Sequence, residues 1–239
     1  MRSLYLVIGF LFSITLWGQS QSHEFTMDYT VKYHIDNAKK GVKDTITIGF
    51  EKNGKYIWSN YKGLAAEFAS EVMPGLGSIP EGASNFVYAS ESNKFYMAVF
   101  LGPLNMMMDM DIAIAMQGTF SEDDKFNEKI VLESRQTSNM FSFNGGKYPT
   151  YEVYADVEPD SAMTFAVDES KEMNNSALLM SFIQLMISAT DSSGDIQGEL
   201  PEGIILAIMD SDKRPLLEAI DVDTKPRKIS LNNSFKISE

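Results

Sequence analysis

Apolar and polar residues alternate along most of this chain. Between Phe25 and Ile35 every odd position is apolar or aromatic (Phe25, Met27, Tyr29, Val31, Tyr33, Ile35), with Thr26, Asp28, Thr30, Lys32 and His34 between them. A period of two turns one face of a strand into a core and the other to water, so the run predicts one strand. Ile46, Ile48 and Phe50 repeat the pattern after Gly41. Asn53-Gly54 then predicts a hairpin turn, with a return strand from Lys55 to Asn60 that carries Trp58. Residues 62 to 72 change period. Leu64, Ala65, Phe68 and Val72 share a helical face, and Pro74 and Gly75 end it. Strands are expected again at Asn85 to Ala89 and Lys94 to Leu101.

The segment from Asn105 to Gln117 is the most distinctive. Its even positions are Met106, Met108, Met110, Ile112, Ile114 and Met116, against Met107, Asp109, Asp111, Ala113, Ala115 and Gln117 on the odd side. At about 3.3 Å per residue it would run to about 40 Å, long enough to curve. Further strands are expected at Lys129 to Ser134, Asn139 to Phe143, Tyr148 to Val157 and Ala162 to Val167, with a tight turn at Asn144-Gly145-Gly146. A long helix follows from Glu169 to Ala189. Asp168 is read as its N-cap and Glu169 and Glu172 lie in its first turn. Its apolar set, including Leu178, Leu179, Phe182, Ile183 and Met186, wraps more than half its circumference, so it needs cover on most sides. Two closing strands at Gly203 to Asp210 and Pro215 to Val222 precede an end read as a frayed tail, residues 226–239.

These elements predict a mainly β, α+β chain: about 11–12 sequential strands in an antiparallel sheet, with one long and one short helix. So many strands must curl or close. A strongly curved sheet holding the apolar helix on its concave face meets both demands. No linker or repeat divides the chain, which predicts one domain over residues 23–225.

The first 20 residues change the picture of location. Met1-Arg2-Ser3 leads into an apolar run from Leu4 to Trp17, then Gly18-Gln19-Ser20, with small residues where signal peptidase needs them. The run is 14 residues, short of the ~20 that span a bilayer as a helix. Residues 1–20 therefore read as a secretory signal peptide, cleaved after Ser20 or after Ser22. No later stretch is long and apolar enough to span. The chain has no cysteine, which excludes disulfides, thiolate metal sites, a cysteine nucleophile and a lipid-anchored cysteine. A disulfide-free exported domain of this size points to a bacterial envelope, periplasmic or secreted. A net charge of −13 disfavours nucleic acid and anionic membrane surfaces as partners.

Three segments carry a resemblance. They are Tyr148 to Tyr154 with Met163 to Asp168, the apolar helix after them, and Leu200-Pro201-Glu202-Gly203-Ile204-Ile205-Leu206 with its hairpin ending near Val222. In these the chain resembles a bacterial family of exported proteins of unknown function placed near the LolA-like lipoprotein-carrier fold. The resemblance implies a half-open β-barrel with helices over its mouth, and a cavity that in the carriers binds acyl chains. It transfers no functional residue, because no functional residue of the carriers matches a position here.

Candidate chemistry is sparse. The even face of the methionine strand reads as the wall of an apolar cavity, since flexible, polarisable methionine suits varied apolar partners. The expected lining is Trp58, Met106, Met108, Met110, Ile112, Ile114 and Met116 from the sheet, and Leu179, Phe182 and Met186 from the helix. Ordinary core packing is the competing reading. The methionines are a poor copper site, because alternate residues on a strand stand about 6.6 Å apart. Asp109 with Asp111, and Glu122 to Asp124, lack calcium-loop spacing. The two histidines, His23 and His34, accompany no nucleophile motif. The sequence thus points to no metal, no cofactor and no catalytic residue. The expected function is a non-enzymatic carrier whose partner is a lipid or an acylated protein. The alternatives are an envelope structural or interaction module with a filled core, and a carboxylate-based hydrolase.

Overall fold

Antiparallel pairing of successive strands builds the structure, a computed structural model that describes residues 22–37, 42–60, 83–101, 104–111, 129–178, 195–232 and 234–235. The N-terminal strands are β1 (Ser22–Met27), β2 (Tyr29–Asn37), β3 (Val42–Phe50), β4 (Tyr56–Ser59), β5 (Ala83–Ala89), β6 (Lys94–Leu101) and β7 (Leu104–Asp111). The remainder are β8 (Lys129–Phe143), β9 (Gly146–Ala155), β10 (Glu158–Asp168), β11 (Asp195–Gly198), β12 (Ile204–Met209), β13 (Pro215–Asp223), β14 (Arg227–Asn232) and β15 (Ser234–Phe235). Thirteen of them form one sheet in the order β11-β8-β9-β10-β12-β13-β2-β3-β4-β5-β6-β7-β15. Two antiparallel runs, β2 to β7 and β8-β9-β10-β12-β13, are therefore joined where β13 pairs with β2. Among the described strands the one parallel pair is β11 with β8. The end strands β11 and β15 do not pair with each other, so the sheet is open rather than a closed barrel.

Turn chemistry matches the expected hairpins. Asn144 and Gly145 both take positive φ in the two-residue turn between β8 and β9, as such turns require. The Asn53-Gly54 loop is organised by Glu51, whose carboxylate accepts the backbone N–H groups of Asn53 and Lys55 at 3.1 and 3.0 Å.

Four expectations are corrected. The single strand expected from Phe25 to Ile35 is two strands, broken at Asp28. The Asp28 N–H donates to the Phe50 carbonyl at 2.8 Å, and its carboxylate accepts the Lys52 N–H at 3.0 Å. β1 then leaves the large sheet and pairs with β14. Alternation hides the break because both halves bury the same parity of residue. Conversely, the two strands expected at Lys129–Ser134 and Asn139–Phe143 are one, β8, with a register shift between Gln136 and Met140. Thr137 fills the shift, its hydroxyl sharing a 2.6 Å hydrogen bond with that of Thr150.

The expected tail, 226–239, is structural through much of its length. β14 pairs in continuous register with β1, Ser22 opposite Asn232 and Met27 opposite Arg227, and buries Ile229 and Leu231. His23, expected at a flexible end, lies in β1, its ring centroid 4.8 Å from that of Tyr96. The fourth correction concerns the long helix. Asp168 ends β10 and accepts hydrogen bonds from the Ser170 N–H and hydroxyl at 3.1 and 2.6 Å. The helix starts at 175, with Asn174 as its cap: Asn174 Oδ1 accepts the Ala177 N–H at 2.8 Å. It is described to 178. The rest of the expected helix, and the short one at 62 to 72, lie outside the described residues.

The helix start is fastened to the sheet. Asn175 is buried, and its Nδ2 donates to the carbonyls of Pro201 and Gly203, both at 2.7 Å. Removing the donor strands one buried and one part-buried acceptor, and a buried one alone costs roughly 1–3 kcal/mol. Asn175→Ala is expected to lower unfolding free energy by about 2–3 kcal/mol in urea denaturation. A loss below about 0.5 kcal/mol, the scale of a neutral surface change, would contradict this latch.

Three apolar clusters of described residues follow the sheet. The first joins Phe25, Met27, Trp58, Val87, Tyr96, Met107, Ile229 and Leu231. The second centres on Val31, Tyr33, Ile204 and Leu206, and the third on Val153, Phe165, Val167 and Leu200. Tyr33 is fully buried and donates its hydroxyl to the Ile205 carbonyl at 2.8 Å. Burial pushes the Tyr88 hydroxyl up to about 12 and that of Tyr33 in the same direction, against about 10 for a free tyrosine. The folded state thus holds these protons more tightly than the unfolded chain. Their contribution is complete below about pH 10 and is lost as pH climbs toward 12. Tyrosinate absorbance and loss of strand circular dichroism should rise together in that window. Full tyrosine titration near pH 10 with the strand signal intact would refute it.

Candidate functional site

The one predicted site residue whose side chain is described, Trp58, lines a cleft. It lies in β4, opposite Gly49 of β3. A Cβ at position 49 would come within 3.0 Å of the indole and 2.9 Å of Met27 Cγ, so glycine there lets the ring lie flat in the first core. Trp58 is only 3% exposed. Its Nε1–H is buried with no hydrogen-bond partner among the described residues. A buried donor left unpaired costs roughly 1–3 kcal/mol and so calls for an explanation.

The cleft has a volume of about 250 Å³. Trp58, Asn85 and Ala98 form one wall, and every residue of β14 from Arg227 to Asn232 lines the other. Arg227 Cζ sits 5.1 Å from the centroid of the indole ring, within range of a cation–π attraction. Lys228 Nζ lies 3.5 Å from Glu24 Oε2 of β1. Of the three described arginines, Arg135 pairs with Glu152 and Arg214 with Asp210 and Asp212. Arg227 has no ion-pair partner among the described residues. Charged, polar and apolar side chains meet here: Arg227, Lys228, Ser230 and Asn232 beside Ala98, Ile229 and Leu231.

The methionine strand is placed by its backbone. Met106, Met108 and Met110 stand in register with Val99, Met97 and Phe95 of β6. Trp58 shares its face with Met107, which packs in the same cluster, not with the even-numbered positions. The expected wall groups Trp58 with Met106, Met108 and Met110; two strands, β5 and β6, lie between β4 and β7, and the register sets Trp58 in line with Val87, Tyr96 and Asp109. Ile112, Ile114, Met116, Leu179, Phe182 and Met186 lie outside the described residues.

No family model, curated protein or solved structure matches the chain.

Other polar groupings serve the scaffold. Glu152 accepts Arg135 at 2.7 Å and lies 3.6 Å from Lys213, and the Arg135 hydrogen bond holds its carboxyl below the ordinary range. Asp109 pairs with Lys94 at 3.3 Å across β7 and β6. No cluster of three His, Asp or Glu side chains able to hold a metal occurs among the described residues. Sequence reasoning missed Arg227, Lys228, Asn85, Ile229 and Leu231. One signal was present: Ile229-x-Leu231 alternates directly after Pro226, beside two adjacent cations in an acidic chain.

Proposed function

We propose that this protein is an exported, non-enzymatic binding or carrier protein that shelters an apolar ligand, such as an acyl chain, in the periplasm or outside the cell. The observation that carries the reading is the Trp58 cleft, where Ala98, Ile229 and Leu231 share a lining with Arg227 and Lys228, beside a buried, unpartnered indole N–H. The open 13-stranded sheet supports it, since a sheet of that many strands must curl and so leaves a concave face. Sites that enclose a whole drug-sized ligand occupy roughly 300–1,000 Å³. A cleft of about 250 Å³ fits one end of such a ligand, the rest continuing past the cleft. No described helix is long and apolar enough to cross a membrane, in keeping with a released protein whose partner is a lipid or an acylated protein.

Native mass spectrometry of protein purified from a cell envelope tests the reading. A co-purifying lipid-sized mass is the expected result. A bare protein that also fails to enhance a lipophilic dye would overturn it. One observation favours a second reading, an envelope interaction module: the first core is filled by its own side chains, from Phe25 to Leu231. That reading predicts the bare protein.

A further inference from the structure

We propose that the Trp58 cleft selects a carboxylate amphiphile, an anionic oxygen pair on a short apolar chain, over neutral or cationic amphiphiles of the same length. The inference rests on the binding reading above and names the class of ligand. Three independent features converge on it.

The first is Arg227. In a chain of net charge −13, a guanidinium has no shortage of carboxylates, and Arg135 and Arg214 each found one. Arg227 instead lies over the Trp58 ring, 5.1 Å from its centroid, without an ion-pair partner among the described residues. The indole face attracts the cation while leaving its N–H edge free of protein acceptors. A guanidinium edge matches a carboxylate in a bidentate fork. The second is the Trp58 Nε1–H, buried and unpaired. An indole nitrogen only donates, so its missing partner must be an acceptor. An anionic oxygen is the strongest one. An ammonium head offers no acceptor at all. The third is the chain-side wall: Ala98, Ile229 and Leu231 line the same space and favour a hydrocarbon. Lys228 lines the same strand end but is paired with Glu24, which leaves Arg227 as the cation for an anionic head.

Size sets the probe. About 250 Å³ equals about eight waters at ~30 Å³ each, comparable to a carboxylate with a medium-length chain. Octanoate, octan-1-ol and octyltrimethylammonium share that length and differ in head charge.

Cleavage after Ser20 removes Trp17 and leaves Trp58 as the sole tryptophan, so intrinsic emission reports on this cleft alone. Titration of the processed chain should give a saturable change with octanoate, with octanol at least about tenfold weaker and the ammonium weaker still. Arg227→Gln should weaken octanoate about tenfold to a hundredfold, the scale of a charged hydrogen bond, and leave octanol unchanged. Arg227 is exposed, and unchanged circular dichroism would show that the variant folds. Equal binding of all three probes, or an Arg227→Gln variant that keeps octanoate affinity, would overturn the selection of carboxylate and leave the binding reading standing. No response to any probe would overturn both.

Discussion

Gly203→Ala is expected to destabilise the protein by about 3–5 kcal/mol, among the largest effects of any single methyl group in this fold. Gly203 has a φ of +123°, a conformation that non-glycine residues reach only at a cost of roughly 1–3 kcal/mol. An added Cβ would also stand 2.5 Å from the Asp168 carbonyl oxygen and 2.8 Å from Val167 Cγ1. Neither neighbour can yield, since Asp168 and Val167 belong to β10 and pair with Ile204 and Ile205 of β12. Overpacking of this kind adds roughly 1–3 kcal/mol. The same residue donates its N–H to the Met173 carbonyl at 3.0 Å and offers its carbonyl to Asn175 at 2.7 Å, so a shift at 203 loosens the start of the helix as well. Gly145→Ala is the control. Its φ of +80° carries the strain, but nothing lies within 4 Å of the added Cβ, and a loss of only about 1–2 kcal/mol is expected. Urea denaturation of the two variants side by side decides the matter. Equal losses would mean that backbone strain alone acts at 203.

A chain ending at Lys225 should fail to form a stable native state. It lacks β14, whose Ile229 and Leu231 are 8% and 4% exposed, and burial of each such side chain is worth roughly 1.5–3 kcal/mol. Loss of β14 also leaves β1 without its pairing strand and uncovers Met27 and Trp58, both in the cluster that β14 helps to close. The sum is comparable to the whole stability of an ordinary domain, about 5–15 kcal/mol. The expected signs are red-shifted Trp58 emission and the loss of a cooperative unfolding transition. A truncated chain with an unchanged midpoint and unchanged emission would show that β14 is peripheral after all.

What could be read from the sequence divides along physical lines. Alternation located most strands and both tight turns, because a period of two and residues tolerant of positive φ are local properties. It did not reveal where β1 parts from β2. Phe25 and Met27 enter one core, Val31 and Tyr33 another, and the parity of burial is the same on both sides of Asp28. The role of β14 was hidden because its partner lies at the other end of the chain, Arg227 opposite Met27, a pairing that no local pattern announces. Asn174 and Asp168 are equally good caps by composition. The choice between them was made by β10, which keeps Asp168 in strand register with Ile204. At the cleft, Trp58 was legible as a large apolar side chain on a half-buried strand. Arg227 was not, since a cation in a presumed tail carries no signal until β14 folds it over the ring.

The indole N–H of Trp58 offers the most direct measurement. With Trp17 removed, Trp58 contributes a single indole N–H resonance in a nitrogen-15 correlation spectrum. A ligand that supplies the missing acceptor should move that resonance downfield in protein carrying its ligand, and stripping the ligand should move it back. A resonance that stays in place through loading and stripping would contradict ligand binding at this cleft.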